Sequence, residues 1–269
     1  MSFSNQSSRL FGLLARYKFF KPLQDFINQN YVKYFKIDMG EFKNPNEYES
    51  LNALFTRSLQ KNRKLDDGFI SPSDGKILQS GQAFLAENEQ FAFSIKGYTY
   101  SLEELLRENF EKKELEKGLD YVNIYLSPKD YHRYHAPCDL EILRAVYTRG
   151  ALYSVSEKYL KKIPNLYTKN ERVSLKCKSA KGFIFWLVFV GAQNVGKMRF
   201  HFDESIQTNA KTSHDFSRVY ENLKLKKGEE LGYFELGSTI VLIAQKACLN
   251  FKIKNGQNLK FGSKIADFI

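Results

Sequence analysis

The stretch FELGSTIVLI, Phe234–Ile243, decides how this chain is read. Ile240–Ala244 is an unbroken apolar run that follows a turn signal, the pattern of a buried strand. A glycine weakens a strand unless the backbone must bend or come close to another group there. Gly237 and Ser238 stand where this strand enters the core, so they are either a strand-entry turn or a piece of chemistry. A serine directly after a glycine has one further option. Its hydroxyl can attack the preceding carbonyl, because glycine puts little bulk around that carbonyl.

The rest of the chain fits around such a strand. Gly182–Gly191 reads as a second strand buried on both faces, and Tyr121–Leu126 alternates as a third. On the N-terminal side, residues 1–7 are polar and read as loose. The pattern from Arg9 to Lys36 is helical, with Leu10, Leu14 and Tyr17 on one face. Pro22 starts a second segment that carries Leu23, Phe26, Ile27, Tyr31, Tyr34 and Phe35. A third helix is predicted over Glu47–Gln60. Another is predicted over Ser101–Phe110, with Ser101 and Glu104 in capping-box spacing. Near the C-terminus, Asn255-Gly256 reads as a hairpin turn, and a three-residue loop there would pair Ile253 with Leu259 and Phe251 with Phe261. The expected fold is α+β: a mostly antiparallel β core, sandwich- or barrel-like, with N-terminal amphipathic helices.

Composition narrows the class. With 269 residues, 43% hydrophobic and 26% charged, the chain can bury a large core without a disulfide or metal staple. Cys138, Cys177 and Cys248 are far apart and form no CxxC, which points to a reducing compartment. Lys and Arg outnumber Asp and Glu by 41 to 30, a net charge of +11 that calls for an anionic partner, nucleic acid or acidic membrane. No nucleic-acid recognition motif is visible. The longest apolar run, Phe183–Ala192, is half the roughly 20 residues a membrane span needs. Leu10–Ala15 is too short for a secretory signal. A basic helix rich in Phe, Leu and Tyr, as in 9–36, is instead what an interfacial membrane helix requires, although a helix packed on its own core would show the same pattern.

Histidine is scarce, at four. His132 and His135 both fall in YLSPKDYHRYHAPCD, Tyr125–Asp139. On a helical turn their spacing would let both rings face one site. No third ligand is nearby and HExxH is absent, so no metal is expected. Asp74 lies in the turn SPSDG. Asp74, His135 and Ser238 have the residue types of an orienter, a base and a nucleophile, although Ser238 lacks the G-x-S-x-G elbow. An ordinary serine hydrolase using these three without self-cleavage is the alternative reading.

Several segments converge on one family. LNALFTRSL (51–59), SPSDG (71–75), KGYTYSLEELL (96–106), YLSPKDYHRYHAPC (125–138), IPNLYTKNERV (163–173), VGAQNVGKM (190–198) and LGYFELGST (231–239) occur in its order. Together they resemble the phosphatidylserine decarboxylases, pyruvoyl-dependent and membrane-associated, in their shorter bacterial form. The match is poorest over 206–225 and is unanchored in the first 20 residues.

The resemblance implies a self-processing proenzyme. Ser238 would attack the Gly237 carbonyl, and elimination would then give a β chain, 1–237, and an α chain, 238–269, that stay associated. Ser238 would become a pyruvoyl group, which forms a Schiff base with the serine amine of the lipid and takes up electrons as carbon dioxide leaves. Phosphatidylethanolamine is the implied product. His135, oriented by Asp74, matches the processing base, and His132 the residue at the substrate carboxylate and proton delivery. The resemblance further implies a homodimer, peripheral on the cytoplasmic face of the cell membrane. Residues 1–36 would be the membrane-associating region and 37–269 the catalytic domain, with phosphatidylserine and the anionic bilayer as partners and no nucleic acid.

Overall fold

The computed structural model describes residues 3–85, 91–107, 109–116, 118–193, 197–210, 214–235 and 238–269. The stretch quoted above forms the strand Ser238–Gln245, every residue of which is buried. It pairs antiparallel with Ile184–Gly191 on one side, Gly191 opposite Ser238. On the other side it pairs with Leu119–Leu126, Leu126 opposite Ser238. These three are the centre of a nine-stranded sheet. Beyond Ile184–Gly191 lie Arg172–Ser179, Leu140–Thr148 and, at the edge, Phe216–Val219; beyond Leu119–Leu126 lie Gly75–Gln82 and Asn258–Leu259. The sheet stays open, so the architecture is sandwich-like and not a closed barrel.

Both faces of the central strands are apolar because both are covered. Phe185, Leu187, Phe189, Ile240 and Leu242 face one core with Phe69, Tyr134, Phe200 and Phe234. That core is closed by two three-stranded sheets, one of which joins Met198–Phe200, Glu230–Phe234 and Arg133–His135. Trp186, Val188, Val241 and Ile243 face a second core with Phe93, Tyr100, Leu105 and Tyr167. Period-two alternation is therefore hidden in the hydropathy, since neighbouring residues enter different cores.

The N-terminal helices are α1, Phe3–Arg16, and α2, Lys21–Phe35, separated at Pro22 as expected. Residues 3–7 are helical rather than loose, and Asn5 Nδ2 donates to the Gly150 carbonyl at 3.0 Å. Much of the patterning of both helices is inverted. Ala15, Phe11 and Tyr31 pack with Phe55, but other buried positions are Asn5, Ser8, Gln24 and Asn28, while Leu10, Leu13, Leu14, Phe26 and Tyr34, and Tyr17 and Phe20 between the helices, are exposed. Asn28 Nδ2 donates to the carbonyls of Pro45 and Tyr48, both at 2.9 Å, so this underside docks by hydrogen bonds.

Two other helices are shorter than predicted. The third, α3, covers only Leu51–Phe55, capped by Ser50, because the buried Arg57 side chain is drawn off to loop carbonyls. The Ser101 hydroxyl does accept from Glu104 N at 3.1 Å, but that helix ends at Leu106, where Arg107 takes a positive φ of 56°. The expected hairpin at Asn255-Gly256 does not form. Lys254–Gln257 is a turn, but Leu249–Phe251 pairs with Lys264–Phe268, and Asn258–Leu259 pairs with Gly75–Gln82. The apolar residues were correctly placed on strands; the tertiary core chose other partners for them.

Gly232 sits where the strand leading toward Ser238 is squeezed between its neighbours Met198–Phe200 and Arg133–His135. A Cβ there would stand 1.8 Å from the Arg199 carbonyl oxygen. Gly232→Ala should cost about 3 kcal/mol of stability in urea unfolding; an unchanged midpoint would refute this packing.

Candidate functional site

The sheet collects the sequence-predicted residues at one of its ends. Ser238 opens its strand, and Thr239, Tyr125 and Lys76 share a rung across three neighbouring strands. Asp74 immediately precedes the Gly75–Gln82 strand, so its backbone lies two strand spacings from Ser238, about 10 Å. His132 is tied in through the Phe234 amide, which donates to its carbonyl at 3.0 Å. The His135 amide donates to the Pro72 carbonyl at 2.8 Å, placing that histidine beside the SPSDG turn. Gly237, the other half of the predicted scissile bond, lies outside the described residues.

The two histidines do not sit on a helical turn. Arg133–His135 is a strand, and the rings enter different packing environments. His132 packs against Phe55, centroids 4.0 Å apart. His135 is stacked on Phe261 at 3.6 Å and beside Tyr131. Their partners fix the tautomers. His132 Nδ1 faces the Asp130 carbonyl at 2.8 Å, so Nδ1 carries hydrogen and Nε2 a lone pair. His135 Nδ1 donates likewise to the Gly228 carbonyl at 3.0 Å, and its Nε2 accepts from the Tyr131 hydroxyl at 3.1 Å.

Asp74 does not make the direct bond to His135 that a hydrolase triad uses. Its carboxylate is held by the Arg63 guanidinium, Nη2 at 3.1 Å, and by the Phe261 amide at 2.7 Å. Arg63 is in turn paired with Glu41. Asp74 thus reaches His135 through Phe261, whose amide it holds and whose ring stacks on the imidazole. Sequence reasoning missed Arg63, Tyr131 and Phe261, since a distant arginine and two aromatics carry no local signal. It also missed Arg57, although LNALFTRSL contains it. Arg57 is buried and donates Nη2 to the Lys129 and Asp130 carbonyls, at 2.7 and 3.0 Å. It shares the Asp130 carbonyl with His132 and so holds the loop that orients that ring.

Three buried side-chain atoms here have no hydrogen-bond partner among the described residues: Ser238 Oγ, His132 Nε2 and Ser73 Oγ. The next hydroxyl along the strand shows the contrast. Thr239 Oγ1 donates to the Ile124 carbonyl at 2.9 Å and accepts from Asn123. A buried polar group left unsatisfied costs about 1–3 kcal/mol, so an orphan hydroxyl and an orphan imidazole nitrogen on segments joined through the Phe234 amide mark chemistry more than packing.

Burial keeps both imidazoles neutral. It pulls His132 down to about 3, aided by the Arg57 charge, and His135 down to about 4. The unfolded chain therefore takes up protons below about pH 6.5 that the folded chain refuses, and stability falls as pH drops. Each histidine contributes a slope of about 1.4 kcal/mol per pH unit. His132→Gln should flatten the stability profile between about pH 5 and 6.5 by one proton's worth; an unaltered slope in urea titrations would contradict the neutral assignment.

Known proteins resemble this chain over most of its length. The family model described as phosphatidylserine decarboxylase matches residues 51–267. A phosphatidylserine decarboxylase proenzyme of Campylobacter jejuni subsp. jejuni is 72% identical over 267 residues, covering 99% of this chain and 100% of the relative. One from Helicobacter pylori is 49% identical over 274 residues, covering 100% and 98%. A mitochondrial proenzyme from Cricetulus griseus is 35% identical over 292 residues, covering 96% and 70%. The match takes in the SPSDG turn, both histidines and the strand that Ser238 opens, and the chain belongs to the phosphatidylserine decarboxylase family of carboxy-lyases.

Proposed function

We propose that the chain decarboxylates phosphatidylserine to phosphatidylethanolamine using a pyruvoyl group made from its own Ser238. The observation that carries this reading is the buried, unpartnered Ser238 hydroxyl at the first residue of the central strand. The residues fit such a group, because Ser238 is fully buried and burial keeps both histidines of the neighbouring segment neutral. The proenzyme names of the relatives agree with a chain that must be cut.

In processing, the Ser238 hydroxyl adds to the Gly237 carbonyl and the peptide bond becomes an ester. Elimination at residue 238 then frees the Gly237 carboxylate, and loss of ammonia to water leaves the ketone. His135, the base by resemblance, takes the hydroxyl proton at Nε2 once the Tyr131 hydroxyl releases that lone pair, with Asp74 and Phe261 fixing its ring. His132, whose Nε2 lone pair is uncommitted, holds or moves the proton at the substrate. The pyruvoyl supplies an electron sink for the bond to the departing carboxylate. A hydrolase without self-cleavage fits less well, since the direct Asp74–His135 bond is not formed.

The test is the intact mass of the denatured protein. Wild type should give chains 1–237 and 238–269, the shorter one carbonyl-reactive, and Ser238→Ala should give a single inactive chain. His135→Ala should block or severely slow cleavage, whereas His132→Ala should cleave further yet lose turnover. An active wild type that stays in one piece would sink the reading.

The inverted helices complete it. Among the described residues no helix is long and apolar enough to cross a membrane. Leu13 is 64% and Phe20 70% exposed, on helices whose flanking Lys and Arg are attracted to anionic lipid. These features support a peripheral seat on an anionic membrane; the cytoplasmic face and the homodimer belong to the same reading through the family resemblance alone. Replacing Leu10, Leu13 and Leu14 together by Ser should cut co-flotation with phosphatidylserine vesicles at least about tenfold, from the apolar area lost. Undiminished flotation would remove α1 as the anchor.

A further inference from the structure

Beneath the exposed apolar face of α1 lies a cavity of about 310 Å³ whose lining carries three cations, Arg9, Arg16 and Lys197, together with Gly12, Leu13 and Asn209. Arg199 stands next to them. Glu235 is the carboxylate that faces this group, and it is shared: Arg16 pairs with one oxygen and Arg199 Nε with the other, at 3.2 Å. Arg9 Nε donates to the Asn209 carbonyl at 3.0 Å and to its side-chain oxygen at 3.2 Å, and the Arg9 charge also acts on Glu171. Glu171 lies beyond Asn209, buried and bound to the Tyr147 hydroxyl and the Asn209 amide. Arg9, Arg16, Lys197 and Arg199 thus outnumber the carboxylates of Glu235 and Glu171. The effect registers on Lys197, which burial and then Arg199, Arg16 and Arg9 push below the usual lysine range.

The cavity's position is as informative as its charge. Lys197 accepts a hydrogen bond at its carbonyl from the Glu235 amide at 2.8 Å. Glu235 is three residues before Ser238, so even a fully extended chain places the two no more than about 11 Å apart. On the other side, Leu13 forms an apolar lip and continues into exposed Leu10, Leu14 and Tyr17. A small cationic hollow of this size suits a head group rather than a whole ligand. Guanidinium groups suit a phosphate. The lip supplies what a free anion would not use, a surface for hydrocarbon.

We propose that this cavity is a phosphate subsite, holding the phosphodiester of a glycerophospholipid whose acyl chains lie along Leu10, Leu13 and Leu14 while its head group extends toward Ser238. The identity of that head group rests on the decarboxylase reading; the subsite itself does not. In phosphatidylserine four bonds separate phosphorus from the serine amine, so the proposal requires the subsite and residue 238 to lie well inside that upper bound. Arg9, Arg16 and Lys197 then position the substrate and touch none of the reacting atoms.

The test is calorimetric titration of the full-length protein with dihexanoyl phosphatidylglycerol, a soluble glycerophospholipid that carries the phosphate and no serine. Lys197→Gln and Arg9→Gln should each weaken binding about tenfold, the worth of one charge-assisted hydrogen bond, and Lys197→Arg should restore it. Thermal melting checks that each variant is folded, and Lys197→Gln alone decides the matter if Arg9→Gln unfolds α1. Equal affinity in wild type and Lys197→Gln overturns the proposal. So does inorganic phosphate binding as tightly as the lipid, which would make the site one for free anions. The two readings fail separately. Lipid binding with this charge dependence, but no carbon dioxide released from phosphatidylserine, keeps the subsite and sinks the decarboxylase. Decarboxylation with the same KM in wild type and Lys197→Gln sinks the subsite alone.

Discussion

The structure depends on one strand pairing. Ser238–Gln245 is clamped between Ile184–Gly191 and Leu119–Leu126, with every residue buried. This pairing fixes Ser238 in register against Leu126 and Gly191 and takes its hydroxyl out of water. It also makes the chain able to survive a cut in front of Ser238. A strand held on both edges and packed into two cores keeps its place by burial and ladder hydrogen bonds, and needs no covalent link to the segment before it.

The site is built from second-order contacts around that strand. Arg57 and His132 share the Asp130 carbonyl, while Arg63, Asp74, Phe261 and His135 form a chain from ion pair to backbone amide to stacked ring. Buried cations that bond to carbonyls or to a shared carboxylate lower the protonation of nearby imidazoles without adding a competing acid. Both histidines are kept neutral at physiological pH by the same burial that orients them. The arrangement favours proton transfer at a defined lone pair over permanent charge.

The N-terminal helices connect this chemistry to its surroundings. Their polar undersides dock through Asn5, Arg9, Arg16 and Asn28, and the partner of Arg16, Glu235, lies three residues before Ser238. An apolar face turned outward is unfavourable in water and favourable at a head-group boundary.

The sequence by itself determined the β-rich class, the central strands and the break at Pro22, and its resemblance to a known family proposed Asp74, His132, His135 and Ser238 as one set. These rest on local signals: apolar runs, a proline, rare residue types in specific segments. Tertiary structure decided the rest. It sent Phe251 to pair with Ala266 rather than Phe261, stopped two helices early, turned the apolar face of α1 outward and placed Arg63 and Phe261 between Asp74 and His135. The reason is that hydrogen-bond partners and buried faces are chosen among residues far apart in the chain, and local pattern records only that a residue must be buried, not against what.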